Sequence, residues 1–385
     1  MPGNDELFAR AVRSLPGGNT RSTLFVPPHA PYAVRAQGAR VWDADGHEVI
    51  DCNNNYTSLI HGHGAPAVVD AAVRAIRGGS AIGLPTGAEV ELAELLARRL
   101  PGMTRWRFVN SGTEAVMLAL RVARAATGRD LVIRFAGSYH GTSDTVVDVT
   151  APGVPALMSE LVHTLPVGDL EAFRRAMAEL GPSVAAVIVD LMPNRAGLVP
   201  LDPEFVRNLR ESTRAAGALL VLDEIITFRL EPGGLARRYG LEPDLTTLGK
   251  IIGGGFPVGA VGGSSEVLGV TDPRRDGAVS WGGTFSANPV TMAAGRTALL
   301  GYERSEVDRL NARGDALRER LGAAGLRTTG SGSLLRVFPD DPAAAWWLAY
   351  RGGVLLGTNG LLSLSTAMTD EDVRLVGERL TTAIA

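Results

Sequence analysis

The sequence carries one cysteine, Cys52, among 385 residues. That excludes an intrachain disulfide framework and fits a reducing compartment. It also lacks a dominant charge, with 38 basic against 41 acidic residues. Without a positive field for a polyanion, nucleic acid is not expected as a partner. No apolar run approaches the length of a membrane span. The opening M-P-G-N-D-E-L-F has no basic segment followed by an apolar core, so no secretion signal is read there. The expectation is a soluble, cytoplasmic protein with no membrane partner. Internal repeats and low-complexity segments are missing too. What is present is 45% hydrophobic residues, 21% charged residues and 47 glycines. Such a chain is globular and loop-rich, with length for two or three domains.

Residues 5–15 have the apolar spacing of a short amphipathic helix, ended by Pro16-Gly17-Gly18. A proline-punctuated stretch holding Arg21 and Phe25 follows. Residues 34–51 then predict two short strands about an Asp45-Gly46 turn. Helices are predicted over 65–76 and 89–100. After these, short apolar strands each run into a polar turn: 106–109 into Asn110-Ser111-Gly112-Thr113-Glu114, 131–135 into Tyr139-His140-Gly141, 184–189 into Asp190, and 218–222 into Asp223-Glu224. Residues 244–248 precede Lys250, and 260–263 form a further strand. Strands alternating with helices predict a mainly parallel sheet covered on both faces. Beyond Asn288-Pro289 the chain is helical to about Gly325. G-S-G-S-L-L-R-V-F, G-V-L-L-G and L-L-S-L-S predict a second small sheet, and Thr369 caps a final helix.

In open α/β sheets ligands sit at the carboxyl edge of the strands. Asp223 ends the apolar strand there, and Lys250 is followed by Ile251, Ile252 and three glycines. An acid and a lysine so placed suit a cofactor with a protonated ring nitrogen and an aldehyde, which is pyridoxal phosphate; a surface ion pair is the plainer alternative. Ser111-Gly112-Thr113 offers free amides, a helix dipole and two hydroxyls to a phosphate. The same residues spell an ordinary capping box with Glu114, whose charge opposes an anion unless its side chain folds back onto the cap. Tyr139 suits stacking on an aromatic ring, or an ordinary buried tyrosine. Thr284, after Gly282-Gly283, is a further phosphate contact or a simple turn. Arg21 and Arg229 are candidate carboxylate clamps, with solvent exposure the alternative for each. One edge collecting all of these is far less expected by chance than any single member.

The ordered stretches P-G-G-N-T-R-S-T-L-F, V-W-D-A-D-G-H-E-V-I-D, N-Y-T-S-L-I-H-G-H, F-V-N-S-G-T-E-A, Y-H-G, L-D-E-I-I-T-F-R-L, D-L-T-T-L-G-K-I-I-G-G-G and G-G-T-F-S-A-N-P-V-T-M-A-A-G carry a resemblance. Over nearly its whole length the chain resembles the class III, fold-type I pyridoxal-phosphate-dependent aminotransferases. Within them it is similar to glutamate-1-semialdehyde aminomutase and, more closely, to the β-phenylalanine (β-amino acid) aminotransferases. The resemblance implies an α/β PLP-transferase fold: a large domain with a seven-stranded-type sheet over residues 56–288, and a small α+β domain built from 1–55 and 289–385. It implies that Lys250 carries the Schiff base and shuttles protons, and that Asp223 holds the pyridinium protonated. Tyr139 and Ile225 would flank the ring. Ser111, Gly112 and Thr113 would bind the phosphate, joined by Thr284 from the partner of an obligatory homodimer. Arg21, with Tyr56 and Asn359, would serve the substrate.

Three departures from the family pattern stand out. Asn359 holds the place of a second carboxylate-gripping arginine, Asp190-Leu191 replaces a Glu-Pro, and the segment between Gly332 and Gly353 is much shorter than in relatives. The expected activity is transamination between an amino acid, preferably a β-amino acid or similar carboxylate, and an oxo acid. An aminomutase, decarboxylase or epimerase needs no second carboxylate clamp and is the alternative that fits Asn359. A biosynthetic role is compatible with the altered donor site. A non-catalytic protein on this fold would have lost the lysine or the acid, and both are present.

Overall fold

The computed structural model describes residues 2–384. The chain divides into two compact units: Ala67–Arg304, and the residues up to Pro66 together with those from Ser305 onward. These divisions lie beyond the 55 and 288 read from sequence. The helix Pro289–Leu300 belongs with Ala67–Arg304 because it packs on the turn that starts at Lys250 and on the helix Gly87–Arg99.

The Ala67–Arg304 unit is built on seven strands: β1 (Arg105–Val109), β2 (Leu131–Phe135), β3 (Val162–Leu165), β4 (Val184–Val189), β5 (Leu219–Asp223), β6 (Leu245–Gly249) and β7 (Gly259–Gly263). Their order across the sheet is β1-β7-β6-β5-β4-β2-β3. All neighbours are parallel except β7, which is antiparallel to both β1 and β6. The V-A-A-V-I-V run of β4 has no polar side chain and every residue is buried, as a parallel strand covered on both faces requires. Helix α1 (Gly112–Thr127) buries Ala115, Val116, Ala119 and Val122 in one cluster with Ile188, Val221, Leu245 and Val261 of the sheet. Edge strand β3 is not evident from sequence: V-H-T-L is short, and His163 and Thr164 are not buried.

The other unit holds two small sheets. The first joins Ala33–Gln37, Arg40–Asp43, Glu48–Asp51 and Val354–Leu355, and the second joins Thr328–Ser331, Leu334–Val337 and Leu361–Ser363. Two expectations are corrected here. Residues 34–51 form three strands rather than two. Val354–Leu355 leaves the C-terminal sheet to pair in parallel with Glu48–Asp51, a pairing across some three hundred residues that local pattern does not encode. The first helix, Asn4–Ala11, also stops early. Pro16 disfavours a helical residue before it, and Leu15 is extended at φ −125°, ψ 123°. Thr369 does cap the last helix, Asp370–Ile384: its Oγ1 accepts from Asp372 N while the Asp372 carboxylate accepts from Thr369 N. Among the described residues no helix is long and apolar enough to cross a membrane.

Candidate active site

Three neighbouring strand ends set the site in the Ala67–Arg304 unit. Asp223 is the last residue of β5, Asp190 follows β4, and Lys250 follows β6. The register pairs Val189 with Leu222, which places Asp190 beside Asp223. Asp223 is buried and doubly held: Ile225 N donates to Oδ1 at 3.0 Å, and His140 Nδ1 lies 2.7 Å from Oδ2. Lys250 sits at φ +53°, a left-handed conformation that costs a non-glycine residue about 1–2 kcal/mol. Such strain in a turn is a common mark of function. Lys250 is also the only lysine in the sequence.

The N-terminus of α1 adjoins these residues. Ser111 Oγ accepts from Glu114 N at 3.1 Å, and the Glu114 carboxylate turns back to accept from Asn110 N at 2.8 Å. The acid is therefore spent on the cap and does not face the helix mouth. The Gly112 and Thr113 amides, among the orphan donors of a helix start, have no protein acceptor among the described residues. A Cβ on Gly112 would come within 2.6 Å of Ile225 Cδ1, and one on Gly141 within 2.8 Å of Thr113 Cα. Close approach thus gathers Gly112, Thr113, Ile225 and the Tyr139-His140-Gly141 turn. Thr284 is exposed, on a loop whose Gly283 abuts the Asn110 side chain. Tyr139 is 45% exposed, and so is not an ordinary buried tyrosine.

Burial governs the charges. It lowers the Lys250 ammonium to about 8, against the pull of Asp223 and Asp190. It pushes the Asp190 carboxyl up to about 7, with the Asp223 charge adding to the rise. Glu224 is likewise pushed up to about 7 by burial, although Thr227 Oγ1, Leu235 N and Ala236 N all donate to it. It braces the turn after β5. Arg229 is 1% exposed, which removes the solvated alternative. Burial lowers it to about 10, and its charge opposes protonation of Lys250.

Arg21, Tyr56 and Asn359 lie in the other unit. Arg21 Nη1 donates to Asn55 Oδ1 at 2.6 Å. The Thr23 carbonyl accepts from both the Tyr56 hydroxyl and Thr358 Oγ1, which brings the three segments together. Asn54, Asn55, Tyr56 and Thr57 all have φ between 48° and 71°. This left-handed turn is held by Asn53 Oδ1 accepting from Tyr56 N and by Asn54 Nδ2 donating to the Ser363 carbonyl. Asn359 Oδ1 accepts from Leu361 N at 3.3 Å, and Arg336 Nε donates to its backbone carbonyl. Two residues that sequence reasoning left without a role are His140 and Arg195, whose guanidinium lies 4.3 Å from the Tyr139 ring centroid. The Y-H-G turn after a strand was the one signal for the first; the second had none.

The pattern of the family Aminotransferase class-III matches residues 26–333. The chain is 40% identical over 341 residues to the β-phenylalanine transaminase of Variovorax paradoxus, covering 87% of this chain and 78% of that protein. It is 40% identical over 334 residues to the glutamate-1-semialdehyde 2,1-aminomutase of Methanopyrus kandleri, covering 83% and 77%. A transaminase solved with PLP bound superposes with a TM-score of 0.95 at 34% identity, covering 100% of this chain and 97% of that one. The strand-end site and these likenesses agree: the chain belongs to the class-III aminotransferases, has the fold-type I architecture, and uses pyridoxal 5′-phosphate as its cofactor.

Proposed function

We propose that the chain is a transaminase for an amino acid whose carboxylate Arg21 receives, a β-amino acid being the preferred class, and that it acts as a homodimer. The observation that carries this reading is the sole lysine standing at a strand end next to a buried, doubly held acid. The residues fit the cofactor. Two amides without acceptors at the start of a 16-residue helix suit its phosphate, and an acid and an amine on adjacent strands suit its two reactive ends. When bound, pyridoxal phosphate supplies an electrophilic aldehyde and an electron-withdrawing ring.

The side chains then divide the work. Asp223, fixed by His140 and the Ile225 amide, keeps a proton on the ring nitrogen. Ser111, Gly112 and Thr113 hold the phosphate, and Tyr139 and Ile225 flank the ring. Lys250 Nζ would hold the aldehyde end of the cofactor and would carry the proton removed from the substrate carbon. Its lowered affinity for protons suits a base near neutral pH. Arg21, held by Asn55, presents a guanidinium fork to the substrate carboxylate, with Tyr56 and Asn359 lining the same edge of their unit. Thr284 serves the phosphate of the partner subunit. That role is supported by its exposure, by neighbouring Phe285, which is 58% exposed, and by an adjacent surface cleft of about 520 Å³ that includes Val90 and Trp281. A reducing, cytoplasmic setting belongs to the same reading, supported by the buried, unbridged Cys52.

Because Lys250 is the only lysine, one experiment isolates it. Borohydride reduction of the protein with its cofactor is expected to leave one pyridoxyl group, located by mass spectrometry at residue 250. Lys250→Ala is expected to lose that label and to lower turnover by roughly 10³-fold or more. Unchanged turnover in that variant would end the reading. A second reading, an aminomutase, decarboxylase or epimerase, is favoured by the uncharged Asn359. An amine donor supplied alone converts the bound cofactor to its pyridoxamine form in a transaminase, whereas those enzymes return it to its starting spectrum.

A further inference from the structure

Transamination takes two carboxylate substrates in turn, and Arg21 accounts for one. Asn359 offers the other no charge, and its side-chain oxygen is already engaged by Leu361 N. A different cation stands within the cofactor-bearing unit. Arg195 lies in the loop leaving β4, stacked on the Tyr139 ring at 4.3 Å. That loop is fixed rather than loose. Asp190 Oδ1 accepts from Met192 N, Leu198 N donates to the Pro193 carbonyl, and Leu201 N to the Leu191 carbonyl, each at 2.9 Å. A Cβ on Gly137 would come within 2.8 Å of the Ala196 methyl, so the loop is packed against the turn that carries Tyr139. Arg195 is exposed, and among the described residues its guanidinium meets the Tyr139 ring and no carboxylate. A guanidinium lying on a ring keeps its N–H edge free, as a pre-oriented fork for a carboxylate.

We propose that Arg195 receives the carboxylate of the 2-oxo acid acceptor, in the half-reaction that Arg21 does not serve. This rests on the reading that Lys250 and Asp223 seat the cofactor. The test uses the holoenzyme and glutarate, a dicarboxylate that cannot react, with binding followed by calorimetry. Arg195→Gln removes the charge but keeps a planar polar end, and Arg195→Lys restores the charge. Loss of one charge-assisted contact is expected to raise the glutarate Kd and the KM for 2-oxoglutarate by roughly ten- to a hundredfold in Arg195→Gln. Arg195→Lys should recover part of that loss. The rate of the amine half-reaction and cofactor retention should stay within about twofold of wild type. The proposal is overturned if wild type shows no saturable glutarate binding, or if Arg195→Gln leaves Kd and KM unchanged. It is overturned too if the amine half-reaction and cofactor retention fall together with them, since Arg195 would then only prop Tyr139. Lys250→Ala run alongside separates the two readings. Inactive Lys250→Ala with a silent Arg195→Gln sinks this inference alone, whereas an active Lys250→Ala sinks both.

Discussion

Single residues in this site are set by burial more than by direct pairing. Asp190 shows the consequence for pH. Burial, with Asp223 alongside, moves its carboxyl from an ordinary 3.8 to about 7. Between those values the folded chain holds a proton that the unfolded chain releases. Stability is therefore greatest near the lower value and declines as pH rises through the window, with the loss complete above about 7. Glu224, raised to about 7 by burial, contributes with the same sign. Lys250 acts in the opposite sense: lowered to about 8, it favours the folded chain as pH rises from there toward 10.5. Asp190→Asn keeps an oxygen for Met192 N and removes the titration. In the cofactor-free protein the fall in unfolding free energy from pH 4 to 7, measured by urea titration, should become shallower. Identical slopes in variant and wild type would mean that Asp190 is not the buried acid described.

At the scale of elements, the lysine turn owes its position to a helix next to it. Gly295, in the helix Pro289–Leu300, has no room for a side chain: a Cβ there would lie 1.9 Å from the Ile252 carbonyl oxygen. A Cβ on Gly254 would in turn lie 2.6 Å from the Ala294 carbonyl oxygen. Gly295→Ala would gain about 1 kcal/mol in helix propensity but incur an overpacking cost of about 1–3 kcal/mol. It must also displace the turn Lys250–Gly253. The expected outcome is a small net loss of stability in denaturant, with a clear fall in cofactor affinity. A variant with wild-type cofactor affinity would show that the helix does not position Lys250. The same scale shows what local pattern could reveal. The apolar run of β4 is legible to the residue, because a strand buried on both faces admits little else; β2 is legible as well, although the buried Arg134 interrupts its run. Edge strand β3 is not, since partial exposure lets polar residues in.

The whole molecule brings in the partner subunit and the limits of local reading. If Thr284 serves a neighbour's phosphate, the exposed Phe285 beside it lies in the contact between copies. Phe285→Asp places a charge there and should yield monomers by light scattering, with activity lost in step. A dimer that survives the substitution with full turnover would remove this loop from the interface. The choice of Lys250, Asp223 and Ser111-Gly112-Thr113 as site residues, and the order of strands and turns along the chain, come from sequence alone. They follow from residue type and short-range periodicity, which act over a few neighbours. The antiparallel setting of β7, the strand Val354–Leu355 paired with Glu48–Asp51, His140 against Asp223 and Arg195 on Tyr139 were decided only by tertiary structure. Each joins segments whose meeting depends on the packing of a whole sheet, and so does the burial that shifts Lys250 and Asp190.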